Sequence, residues 1–468
     1  MLPSINRRTS LLLGGAGVAM AAVLALPDEA QAQAFNATPE IVRGAVDIDR
    51  TISGQDTITV SSSTAVVDWT PFEDQVGNAL TFLPEGATAY FQDSPGQGGF
   101  AILNRVLPTT GGDVTVFAGT VISRLQDADG GLTAGGMVAF YSPTGILVGG
   151  TAVFDVGQLL LTTLDPDLDS FDSFAAGETL QLIGSPGATE GITVEANALI
   201  DASAEGSYFV AAAPQISMQG EAYVNGSTAY IAGEQVNLTY NNGLFDIEIP
   251  AGTGVETAIE HTGITGGPAS VGAGDNHVIY VVGKAAASNP ISLLLSGNLG
   301  FDPAVSATID NGDIILSAGY DVFGRDVTTG AVDADAVEES VSVAGLSDFS
   351  ASVFAAATGR FTVNSGSGAV SFIDGLTVEA ARAISLIAEG GANLSIDGAT
   401  NLLARGTFAA SGEATGGTIT ITAREGSNFT FDGDLTANAT PFQSGGAANG
   451  GRIDVTADGA TMTLVGDV

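Results

Sequence analysis

The stretch GGTITITA at residues 416–423 alternates isoleucine with threonine behind a glycine pair, and its reading decides the fold. In an extended strand successive side chains point to opposite faces, so Ile419 and Ile421 share one face while Thr418, Thr420 and Thr422 share the other. Two apolar positions cannot make a core by themselves. The same unit recurs downstream as GGRIDVTA (450–457), with Ile453 and Val455, and occurs earlier as RAISLIAEGG (382–391), with Ile384 and Leu386. Looser copies lie further upstream at short intervals: Ile192 and Val194 in GITVEANA, Ile216 and Met218 in PQISMQG, Val236 and Leu238 in EQVNLTY. A repeat of this length predicts units that stack on one another and share a continuous interior. Glycine, asparagine and aspartate between the units supply corners where φ must turn positive. The fold expected is an all-β parallel β-helix. An antiparallel sandwich or propeller also uses short strands but needs tight hairpins in regular succession, and few Asn-Gly pairs are present, Asn225-Gly226 and Asn242-Gly243 among them.

Composition points the same way. The 468 residues include 64 glycines and only 14% charged residues, while long runs of helix formers are absent. Acidic residues outnumber basic ones 52 to 13, and Lys284 is the only lysine, so the surface repels phosphate backbones and nucleic-acid binding is excluded. No apolar run after residue 26 approaches the roughly 20 residues that a membrane-spanning helix requires. At the N-terminus Arg7 and Arg8 precede the apolar run LLLGGAGVAMAAVLAL (11–26), and Ala30-Gln31-Ala32 or Ala32-Gln33-Ala34 offers a cleavage site, so residues 1–34 read as a signal peptide. The arginine pair leaves a twin-arginine signal open beside general secretion. An exported chain with no cysteine has no disulfide framework, thiolate metal site or thiol nucleophile. At about 24 residues per coil the mature chain would form about 18 coils and a rod on the order of 85 Å long. The repeat-like ending GATMTLVGDV lacks a polar cap, which implies that the solenoid continues beyond Val468.

Residues 35–175 have a different texture, with longer apolar strands and the single Trp69. Within them FYSPTGILVGGTAVFDVG (140–157) places a Pro-Thr-Gly turn between two apolar runs. Together with Asp68-Trp69-Thr70-Pro71-Phe72, Asn104-Arg105-Val106 and Thr162-Thr163, this order of motifs between Asp56 and Thr163 resembles the secretion domain of filamentous-haemagglutinin-type exoproteins. Ser142 and Thr144 stand where that family has asparagine, and LPTTGGDVTV (107–116) lengthens one link; Pro143, Gly145 and Ile146 retain the turn. The resemblance implies a right-handed β-helix whose N-terminal domain (35–175) is read by an outer-membrane partner transporter, followed by β-helical repeats (176–468). It also implies a non-enzymatic adhesin or biofilm-matrix protein, exported through the periplasm to the surface of a Gram-negative cell. Its further partners would be glycans or proteins of a host or cell surface, and neither cofactor nor metal is expected. The secretion-motif residues carried over are Asp68, Trp69, Phe72, Asn104, Arg105, Val106, Ser142, Pro143, Thr144, Gly145 and Ile146, with Trp69 expected in the core.

The alternative is a carbohydrate-active β-helix enzyme. Its acid groups would come from LDPDLDSFD (164–172), where alternate spacing could line Asp165, Asp167 and Asp169 along one strand face; the competing reading is a solvated acidic loop with no basic residue nearby in sequence. GAGDNHV (272–278) occurs once, where calcium-binding repeats come in tandem. His261 and His277 are expected at the surface, since they stand well apart in sequence with no cysteine to complete a zinc site. A self-inserting autotransporter would need a C-terminal run of amphipathic strands ending in an aromatic, which this sequence does not contain.

Overall fold

The computed structural model describes residues 33–467, apart from 73–78, 110–111, 175, 242, 269–275, 287–290, 302–311, 319–321, 324–359, 366–367, 373–374, 381–382, 405–406, 409–413 and 441–447. Residues 1–32 of the segment read as a signal peptide, and Gly272 to Asp275 of the GAGDNHV motif, lie outside the described residues. The alternating units stack in parallel and in register: Ile384 pairs with Ile419 and then Ile453, and Leu386 with Ile421 and then Val455. In the strand Thr418–Arg424 the two isoleucines and Ala423 are buried and the threonines are half-buried, so the inward and outward faces are those the alternation requires. Repetition of such pairings builds a parallel β-solenoid. One face is an 11-stranded sheet running from Ala79–Leu83 to Thr461–Leu464. A second begins at Thr64–Pro71 and passes through Ala101–Val106, Met137–Tyr141 and Gln158–Thr162. A third begins at Gln55–Val60 and continues through Thr88–Asp93 and Thr120–Gln126.

Stacking therefore starts near residue 55 and includes the Trp69 region. The coil that separates Ile384 from its partner Ile419 is longer than the coil of about 24 residues taken for the length of the rod. The described coils are correspondingly fewer, and the 11-stranded face spans about 50 Å rather than the expected length of about 85 Å. The upstream repeat also needs correction. Ile216 and Met218 follow Ile192 and Val194 in register, but the next rung is Ile259 and His261, and Val236 and Leu238 are not part of the stack. They lie in an antiparallel sheet outside the solenoid, in which Gln235–Asn241 pairs with Leu180–Ile183 and Leu244–Ala251. Alternation marks any strand with one buried face, and a covering strand has one too.

That outer sheet explains the continuously apolar strands. Leu103, Ala139, Leu160, Val210, Ile231 and Tyr280 point out of the solenoid into a second core, where Phe171, Phe174, Leu182, Val236, Leu238 and Phe245 cover them. Strands buried on both faces lose their alternation, as AILNRV, MVAFY and HVIYVVG do. Further along, from Ala383–Ala388 to Thr418–Arg424, buried and half-buried residues alternate cleanly.

The N-terminal end is closed by two antiparallel strands, one on each of two faces. Ala37–Arg43 pairs antiparallel with Thr64–Pro71, and Val46–Ile52 with Gln55–Val60, which blocks the first edges of two faces to further strand addition. Phe35 plugs the interior beneath them, stacked on Phe82 at 4.5 Å and edge-on to Trp69 at 4.8 Å. The buried Asp56 carboxylate accepts hydrogen bonds from the Ala34 and Phe35 amides at 3.0 and 3.1 Å and pairs with Arg50 at 3.2 Å.

Both histidines are buried, contrary to the surface positions expected from their isolation in sequence. Each occupies an inward-facing strand position and is hydrogen-bonded there, His261 to Thr265 and the Ser296 carbonyl, His277 through Nδ1 to the Pro268 carbonyl at 2.7 Å.

If the two faces of the repeat are as described, Ile419→Asp places an unpaired carboxylate in the apolar interior and lowers stability by about 3 kcal/mol or more. Thr420→Asp on the outer face should change it by less than about 0.5 kcal/mol. Urea midpoints followed by far-UV circular dichroism check both, and equal shifts would contradict the assignment.

Candidate functional site

The motif residues of the N-terminal coils belong to three successive rungs. Thr64–Pro71, Ala101–Val106 and Met137–Tyr141 are adjacent parallel strands, with Val67 opposite Asn104, Asp68 opposite Arg105 and Trp69 opposite Val106, and with Phe140 and Tyr141 opposite Asn104 and Arg105 on the other side. Strand parity then assigns each residue a face. Trp69 and Val106 point inward and are fully buried. Asp68 and Arg105 project outward, about one-fifth exposed.

Asn104 is a polar side chain in an otherwise apolar interior and is itself fully buried. Its Oδ1 accepts a hydrogen bond from Trp69 Nε1 at 3.0 Å, and its Nδ2 donates to the Ala139 carbonyl at 3.2 Å. One amide therefore ties three consecutive coils. The indole also carries the Arg50 guanidinium 5.3 Å above its ring, and Arg50 in turn pairs with Asp56. On the outer face Arg105 forms a two-point pair with Asp68, Nε to Oδ1 at 2.8 Å and NH2 to Oδ2 at 3.0 Å. Its remaining terminal nitrogen lies 3.9 Å from Asp165. Burial raises the Asp165 carboxyl above its ordinary value, with Arg105 opposing the shift, and burial beside Asp165 pushes the Tyr141 phenol up to about 12.

The Ser142 to Ile146 turn follows the third rung directly. Ser142 is buried, its hydroxyl 2.8 Å from that of Thr115, and its amide donates to the Thr162 carbonyl. Pro143 and Thr144 form the exposed and half-exposed crest. Gly145 has φ +101°, a region that residues with a Cβ rarely adopt, and a Cβ there would also lie 3.3 Å from the Gly191 carbonyl oxygen. Ile146 then enters the core and its amide donates to that carbonyl. The turn borders an open groove of about 480 Å³ whose lining includes Glu190, Gly191 and Gln215. Phe72 stands apart from the cluster: it is 43% exposed, and its amide donates to the Asn36 carbonyl.

The acidic segment 164–172 is neither one continuous strand face nor a free loop: Asp165–Pro166 is a short strand paired antiparallel with Ile183 and Leu182. Leu168–Phe174 is a helix, with the Asp167 carboxylate accepting from the Ser170 amide at 2.8 Å near its start and Phe171 and Phe174 buried. Arg43, at the end of the capping strand Ala37–Arg43, contacts Asp169 and Asp172 at 2.8 Å each, so basic partners arrive from a remote part of the chain. The sequence reading missed Phe35, Arg50 and Asp56. Asp56 was accessible to it, since it shares strand parity with the inward Ile58 and Val60.

No family model matches the chain and no curated protein sequence matches it. Among solved structures it is similar to the HMW1 secretion domain from Haemophilus influenzae, at 13% identity and a TM-score of 0.44, covering 92% of this chain and 99% of that one. It is also similar to the filamentous hemagglutinin secretion domain, at 12% identity and a TM-score of 0.39, with the same coverage of 92% and 99%.

Asn104→Ala strands the Trp69 N–H and the Ala139 carbonyl in the interior, a loss expected to cost about 2 to 3 kcal/mol. Trp69→Phe removes the same hydrogen bond from its other end, so the double variant should be less destabilised than the sum of the two, by about 1 kcal/mol. Strict additivity in urea unfolding would show that the two side chains do not interact.

Proposed function

We propose that this chain is a secreted exoprotein whose N-terminal coils, residues 35–175, are read by an outer-membrane partner transporter, with the remaining solenoid displayed outside the cell as an adhesin or matrix component. The observation that carries the reading is the convergence of Asp68, Trp69, Asn104, Arg105 and the Ser142 to Ile146 turn on three adjacent rungs at the capped end of the solenoid. These are the residues through which the sequence resembles the secretion domains of two-partner systems. Route and architecture are compatible. A chain without cysteine can pass through a barrel unfolded, and a solenoid whose coils touch only their neighbours can fold progressively as it emerges.

The enzyme alternative drew on Asp165, Asp167, Asp169 and Asp172. Asp169 and Asp172 hold Arg43, Asp167 caps a helix and Asp165 faces Arg105, so each has a structural task that favours the non-catalytic reading.

The roles of the motif residues are separable in an export assay. In cells carrying the partner transporter, Asn104→Ala and Gly145→Val are expected to remain in the periplasm and be degraded, while the unchanged chain and Thr420→Asp reach the medium. Export of the Asn104 and Gly145 variants at the level of Thr420→Asp, or export of the unchanged chain without any transporter, would overturn the reading.

A further inference from the structure

His261 lies deep in the middle of the solenoid and takes no part in the N-terminal cluster. It is fully buried, with Met218 and Leu295 in register on the rungs to either side. Its Nδ1 is 3.1 Å from the Ser296 carbonyl oxygen and its Nε2 is 2.9 Å from the Thr265 hydroxyl, which is 2.6 Å from the Tyr230 hydroxyl. The carbonyl fixes every proton in this chain. Because it can only accept, Nδ1 carries the hydrogen, and in a neutral ring Nε2 must accept. Thr265 therefore donates to Nε2, and Tyr230 donates to Thr265. The three side chains and the carbonyl link strands Glu221–Ala232, Thr257–His261 and Ile264–Gly267 to the turn before Asn298–Phe301.

Protonation breaks the arrangement. An N–H at Nε2 would point at the Thr265 oxygen, turn the hydroxyl away and leave the Thr265 proton without its acceptor. It would also put a positive charge in an apolar interior. Ile216–Met218 and Ser292–Leu295 face the ring with Met218 and Leu295, Glu221–Ala232 with Tyr230, and Ile264–Gly267 with Thr265; Tyr230 is the only titratable side chain among these. Glu260 and Glu221 sit at outward positions of their strands and supply no counter-charge inside.

We propose that the coil holding His261 is an acid-sensitive lock in the middle of the solenoid, closed while the imidazole is neutral and opened when it gains a proton. Burial agrees with this, holding the imidazole down to about 4 against an ordinary 6.5. Since the folded value is the lower one, the opened chain takes up the proton first as pH falls. The lock's contribution is complete above about pH 6.5 and is lost progressively toward pH 4, where the open population has risen on the order of a hundredfold.

Hydrogen exchange of the full chain, read by mass spectrometry between pH 7 and pH 4 and corrected for intrinsic rates, tests this directly. Peptides covering 216–232, 257–267 and 292–301 are expected to lose on the order of a hundredfold in protection, while peptides covering 88–93 and 137–162 change far less. His261→Gln should flatten the response. Thr265→Val, which removes the donor that favours the neutral ring, should move the transition to higher pH and serves as the test if the glutamine variant does not fold. A loss shared equally by all peptides, an unchanged response in His261→Gln, or an unmoved transition in Thr265→Val would overturn the proposal.

Discussion

No rung of this protein has a core of its own. A strand such as Ile192–Val194 offers two buried side chains, far too little apolar surface to offset the ordering of the coil that carries it. Each rung is stable only because Ile146 and Val148 lie on one side of it and Ile216 and Met218 on the other, and their own stability has the same source. Two consequences follow from that dependence. The first rung needs an external lid, which the antiparallel strands Ala37–Arg43 and Val46–Ile52 supply with Phe35 as its plug. And a polar group inside the shared interior can find its partner on a neighbouring rung, as Asn104 does with Trp69 and Ala139.

The solenoid is not uniform along its length. Its early and middle coils carry a second layer, in which a short helix and an antiparallel sheet bury one outer face under Phe171, Phe174 and Phe245, with Arg43 joining that helix to the capping strands. Further along, where the strands Ala383–Ala388 and Thr418–Arg424 alternate, outward serines and threonines replace aromatics. The proposed division of labour follows this gradient. The doubly layered, capped end holds the motif cluster, and the plainer coils extend from it.

Much of this was legible in the sequence. Ile384, Ile419 and Ile453 match in the sequence repeat and are aligned in register, because alternation and repeat length are local properties that the chain displays openly. Trp69 was expected in the core and is there. The failures share a physical cause, which is that the deciding partner is remote. Val236 and Leu238 alternate like any rung, and only their antiparallel partners reveal a covering sheet. The 164–172 segment has no basic neighbour in sequence, yet Arg43 and Arg105 reach it through folding. His261 looked solitary, and its partners Tyr230, Thr265 and Ser296 are brought together by stacking.

The absence of native cysteine allows the stacking order to be read directly by disulfide trapping. Ser217 lies beside Glu260 on the next rung, whereas continuation of the sequence repeat alone would have placed it beside Asn237. Adjacent parallel strands sit about 4.8 Å apart, within the range that a disulfide spans. The variant combining Ser217→Cys with Glu260→Cys is therefore expected to oxidise readily to an intramolecular disulfide, and the one combining Ser217→Cys with Asn237→Cys to remain reduced. Cross-linking of the Asn237 pair in place of the Glu260 pair would contradict a solenoid whose antiparallel sheet lies outside the stack.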